Sequence, residues 1–228
     1  MSFDQCSQNY GYEELPELLE RANLILILPK QYSMVPIIKN NQVNYHLAFK
    51  QEDGIEIRYT IYPYDKEIEE YKAYLDRKEK GIKPVDPVKG EYEEWMSDPN
   101  KGHFVAFQSF VFNLSKKSDT LFQHILKIIK EFPSDAVKNE FNADCGYYAW
   151  CDLDKEFGQK YKKCLAYGIH KKDYGMIFCF RMFKDMKQVN MLLDSGKINK
   201  DFYCIQFFKS RPPLLEHPKG MNRIFRNG

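Results

Sequence analysis

The residues "MIFCFRMF", Met176 to Phe183, constrain the fold of this chain more than any other stretch. Successive strand residues point to opposite sides of a sheet. Met176, Phe178, Phe180 and Met182 therefore make one face, and Ile177, Cys179 and Phe183 the other. A strand that is apolar on both faces belongs in the middle of a sheet that is covered on both sides. The pattern predicts an α+β fold: a twisted, mainly antiparallel β-sheet with helices packed against it.

The flanking segments agree with that reading. In "NYHLAFKQEDGIEIRYTIYP", Tyr45, Leu47 and Phe49 alternate before Asp53-Gly54, and Ile55, Ile57, Tyr59 and Ile61 alternate after it. This spacing predicts a hairpin, with Glu56, Arg58, Thr60 and Tyr62 on a partly wet face. Four segments read as helices: "LPELLERAN", the charged "DKEIEEYKAYLDRKEKG", "HFVAFQSFVFNLS" and the one-sided "SDTLFQHILKIIKEFP". In the last third, "GYYAWCD", "KCLAYGIH", "MIFCFRMF" and "FYCIQFF" read as strands, and "KDMKQVNMLLDS" as a helix. The expected organisation is a single domain over residues 1–228. A charged helix-and-loop excursion interrupts it at about 65–102, and a basic, Pro-containing tail closes it at 209–228.

Net charge is only +2, too small a field to steer nucleic acid. It is unevenly placed, since Lys209, Arg211, Lys219, Arg223 and Arg226 face Glu216 alone within the tail. Asp4, Glu13, Glu14, Glu17 and Glu20 argue against a secretory leader. The run "LILIL" falls far short of the ~20 apolar residues a membrane helix requires. A cytoplasmic location without a membrane partner is the expectation, and there the six cysteines are reduced thiols.

Motifs for chemistry are scarce. The chain has no GxSxG elbow, no phosphate-binding glycine loop and no CxxC. The five histidines are scattered singly, and His170 reads as a surface imidazole at a turn. In "FNADCGYYAWCD" a strand would hold Cys145 and Cys151 about 20 Å apart, too far for a shared ion. No metal, cofactor or catalytic residue is predicted. A register with Ile169 facing Tyr174 would set Cys164 opposite Cys179 as a buried pair. Arg181 is the polar interruption in the two-faced strand. It calls for an acid, for which Asp144 is the preferred candidate, or for an anionic ligand, with Arg58 as the alternative cation on the first hairpin.

The alternation in "EFNADCGYYAWCDLDKEFGQKYKKCLAYGIHKKDYGMIFCFRMFKD" resembles that of the PsbP-like group, which includes DcrB-type bacterial proteins and Mog-type Ran-binding proteins. The likeness covers about residues 134–208 and lies in strand and turn pattern. It implies a twisted antiparallel sheet flanked by helices, serving binding or assembly without catalytic machinery. The leading functional expectation is a non-enzymatic binding or scaffold domain that meets a protein partner through 65–102 or the tail. The alternative is a small-molecule binder or hydrolase whose pocket is lined by Tyr62, Tyr147, Tyr148 and Trp150. Nucleic-acid binding through the tail would show itself as strongly salt-dependent affinity.

Overall fold

The two-faced strand lies at the centre. In the computed structural model, which describes residues 12, 14–27, 32–82, 98–115, 121–194 and 204–208, every residue of Gly175–Phe183 is buried. In chain order the strands are β1 (Leu24–Leu26), β2 (Tyr32–Met34), β3 (Leu47–Gln51), β4 (Glu56–Pro63), β5 (Lys130–Glu131), β6 (Cys145–Asp152), β7 (Lys163–Lys171), β8 (Gly175–Phe183) and β9 (Ile205–Phe207). Seven of them form one sheet in the order β2-β3-β4-β8-β7-β6-β5, and every pairing is antiparallel. β1 and β9 form a separate antiparallel ribbon. The α+β architecture expected from the sequence is the one observed.

The helices are α1 (Leu15–Arg21), α2 (Asp65–Glu79), α3 (His103–Leu114), α4 (Leu121–Ile128), α5 (Ser134–Ala136, continued by a π turn over Val137–Phe141), α6 (Lys155–Gly158) and α7 (Met186–Asp194). One face of the sheet presents Ile57, Tyr59, Ile61, Tyr167, Ile177, Cys179 and Phe183. Leu15 and Leu19 of α1, the β1–β9 ribbon, Phe141 and the α7 residues Val189 and Leu192 cover it. The other face presents Tyr147, Ala149, Cys164, Ala166, Phe178 and Phe180. Phe107, Val111 and Leu114 of α3, Ile125 of α4 and Phe157 of α6 cover that one.

Two coverings correct the hairpin reading. β3 and β4 pair as expected, with Phe49 opposite Ile57, but the second face of β4 is not wet. Glu56, Arg58 and Thr60 are buried beneath the α3–α6 layer, and of that face's residues Tyr62 is exposed. Arg58 survives there because its guanidinium binds Glu56 at 2.8 Å, donates to the Phe157 carbonyl at 2.7 Å and lies between the rings of Tyr45 and Phe157.

Register settles two further expectations. Cys164 lies opposite Met182, and Cys179 opposite Tyr167, so Cys164 and Cys179 face different sides of the sheet. The expected pairing was wrong by three positions, and an odd slip turns every side chain to the other face. Arg181 is buried beside Leu165 and Ile57. Asp144 is not its partner: it borders His170, five residues further along β7, or about 17 Å at the usual rise. Its carboxylate accepts instead from the Lys172 backbone N–H at 2.7 Å. Arg58 lies on the opposite face from Arg181, so the two cations do not share a site.

α2 has no buried side chain, and Gly81 ends it at φ +68°, as the sequence anticipates. Residues 83–97 of the excursion and the whole tail 209–228 lie outside the described residues. No helix among the described residues is long and apolar enough to cross a membrane.

Candidate metal centre

The site is built at one end of the sheet, on the face covered by α3. Cys145 opens β6 and has His170 of β7 as its register partner. Both side chains point toward α3, whose first residue is His103. The ligand-type atoms of His103, Cys145 and His170 all lie within 4.8 Å of one another. Cys145 Sγ is 3.6 Å from His170 Nδ1 and 3.9 Å from His103 Nδ1. The imidazoles stack with centroids 4.3 Å apart. Tyr147, two residues along the same face of β6, brings its hydroxyl within 3.1 Å of His103 Nδ1.

Local sequence explains the convergence. Gly168 has no side chain where Phe107 of α3 meets the sheet; a Cβ there would come within 2.9 Å of the Phe107 ring. α3 therefore sits close, and its N-terminus reaches over β6 and β7. The loop before it is fastened to the β7–β8 turn by a reciprocal pair: Asn100 Nδ2 donates to Asp173 Oδ1, and the Asp173 backbone N–H donates to Asn100 Oδ1, both at 2.9 Å. Asp173 itself takes the left-handed conformation, φ +63°, common for Asp in tight turns.

The protonation states suit a cation. Burial, and then the neighbouring His103, push His170 down to about 4, and burial likewise lowers His103. Both shifts favour the neutral imidazole, the form that ligates a metal. Burial raises the Cys145 thiol, against a smaller lowering by Tyr147. A thiol held protonated does not ligate as it stands. A bound ion displaces that proton directly. His170 is only 4% exposed, and its Nε2 is buried with no hydrogen-bond partner among the described residues. Asp144, Asp173 and Asp98 act on His170, and Glu131 on His103, so carboxylates surround the cluster.

Tetrahedral zinc places a sulfur and a nitrogen ligand about 3.6 Å apart, given bond lengths of about 2.3 and 2.0–2.1 Å. The 3.6 Å separation to His170 matches, and the 3.9 Å one to His103 is slightly long. Because the rings stack, aiming both lone pairs at one ion requires rotation about χ2, a soft torsion in histidine. One thiolate and two imidazoles suit zinc, cobalt or copper, and not magnesium or calcium, which prefer oxygen.

This constellation was not predicted. Along the chain the cysteine nearest to Cys145 is Cys151. Those two do stand at opposite ends of β6, but the partners that matter come from α3 and β7. The other expected site residues do not gather. Tyr62 and Tyr147 lie on the α3 face and Tyr148 and Trp150 on the opposite face, so these four rings cannot line one pocket. Comparison of the chain with protein-family models, curated proteins and solved structures yields no match.

Proposed function

We propose that this protein is a non-enzymatic binding domain whose ligand is a thiophilic transition-metal ion of the zinc class, held by His103, Cys145 and His170. The observation that carries this reading is the convergence of three buried or half-buried ligand atoms from three separate elements within 4.8 Å. Three protein ligands leave a fourth position open to water or to the Tyr147 hydroxyl. Cobalt titration of the full chain tests it. A thiolate-to-cobalt charge-transfer band should grow to one equivalent, vanish in Cys145→Ser and weaken strongly in His170→Ala. Cobalt spectra showing only the free aqueous ion, with wild-type protein folded, would defeat the reading.

A second reading, partner binding through the 65–102 region, is supported by α2, which has no buried side chain, leaves Ile68, Tyr71 and Tyr74 half-buried, and stacks Tyr71 on Tyr74 at 6.2 Å. Photo-crosslinking from position 75 tests it. Reproducible adducts to one protein species are expected, and none should form from a control position on β2.

A further inference from the structure

A groove of about 580 Å³ opens at the other end of β6. Among the described residues, β5 pairs with Tyr147 and Tyr148 alone, and β6 has no strand neighbour on that side from Ala149 to Asp152. His124 and Ile128 of α4 flank the gap on one side of the sheet, and Met186 and Leu193 of α7 on the other. Trp150 and Cys151 line it between them. Cys151 thus borders a space wide enough to admit a small oxidant.

Directly across from Cys151 on β7 stands Cys164, on the same face and fully buried. Both are free thiols. Directly opposed residues of an antiparallel pair have Cα atoms about 4.5 or 5.5 Å apart, within the range a disulfide spans. Their Cβ atoms stand about 4.5–5.5 Å apart, slightly wider than the 3.5–4.5 Å of a relaxed disulfide. We propose that Cys151 and Cys164 form a reversible cross-strand disulfide, a peroxide-sensitive modification site that opens on the groove.

The asymmetry of the pair assigns the roles. Cys151 lines the groove while Cys164 is fully buried behind it, so an oxidant meets Cys151 first. The Cys164 thiol donating to Cys151 lowers the latter's pKa against the cost of burial, and burial raises that of Cys164. The Cys151 thiolate attacks hydrogen peroxide, takes one oxygen as a sulfenic acid and releases hydroxide. The Cys164 sulfur then displaces that hydroxyl, which leaves as water with the Cys164 proton. The proton first lost by Cys151 neutralises the hydroxide. Each sulfur gives up one electron, and peroxide ends as two waters.

The test treats the intact wild-type chain with equimolar hydrogen peroxide, blocks remaining thiols by alkylation and maps the peptides without reductant. The expected product links the Cys151 and Cys164 peptides at a mass lower by two hydrogens, and dithiothreitol restores both thiols. Cys151 oxidised alone to sulfinic acid, or both residues recovered as alkylated thiols, would overturn the proposal. In Cys164→Ala, dimedone should label Cys151 several-fold more than in wild type; equal labelling counts against the mechanism. Cys145→Ser should form the same link, so this result and the fate of the metal centre are read separately.

Discussion

Arg58 and Glu56, two residues apart on one face of β4, form a buried ion pair at 2.8 Å beneath the helical layer. The Tyr161 hydroxyl adds a contact to Glu56 Oε2 at 3.1 Å. Removing one partner of such a pair strands the other without solvent. Glu56→Ala should therefore cost about 3–5 kcal/mol in urea denaturation, whereas replacing both residues with apolar ones of similar volume should cost far less. Equal losses in the single and double variants would mean that packing, not charge, governs this site.

Acid sensitivity follows from His170. Its folded pKa, about 4, lies below the ordinary value of 6.5. Above pH 6.5 both folded and unfolded states are neutral, and the group contributes no pH dependence. As pH falls from 6.5 toward 4 the unfolded state takes up the proton first, so the fold loses stability, by up to about 3 kcal/mol. Denaturant midpoints from pH 7 to 4 should fall more steeply for wild type than for His170→Gln.

The Asn100–Asp173 pair holds the start of α3 without touching the site. Groups that orient a ligand one step removed typically contribute about ten- to a hundred-fold to metal affinity. Asn100→Ala should therefore weaken zinc binding by about ten-fold or more in competition with a chromophoric chelator, while Cys145 stays available for cobalt charge transfer. Unchanged affinity would show that α3 is placed by its apolar face alone.

Gly168 is a packing constraint that also serves the site. Gly168→Ala drives a methyl into Phe107 and the Met176 and Phe178 side chains, at 2.9–3.3 Å. Overpacking of this size costs about 1–3 kcal/mol. Lifting α3 should also lower metal affinity, so thermal denaturation and zinc competition should shift together.

What the sequence reveals and conceals has a physical pattern. The two-sided apolarity of Met176–Phe183 announces the central strand, and the alternation in Leu47–Phe49 and Ile55–Ile61 announces its hairpin neighbour. Both signals are local and set by the period of two. The burial of Arg58 is hidden because a charged strand face reads as wet until α3 and α6 are placed over it. Cys164 and Cys179 were mispaired because a hairpin's loop length fixes the parity of its register, and "HKKDYG" permits both parities. His103, Cys145 and His170 share no motif spacing at all. They meet because Gly168 lets a helix lie close and β7 runs one residue past His170, and no window along the chain contains both facts.

The pairing of β4 with β8 has a consequence for how the molecule is made. The first hairpin is synthesised early, yet its long flank waits for Gly175–Phe183, and β1 waits for β9. Until those late strands leave the ribosome, Ile57, Tyr59 and Ile61 have β3 and α1 beside them but no strand along the other edge of β4. Contacts so distant in sequence slow folding and prolong the exposure of sticky intermediates. Nascent chains of this protein should therefore be clients of chaperones that shield apolar strands during translation.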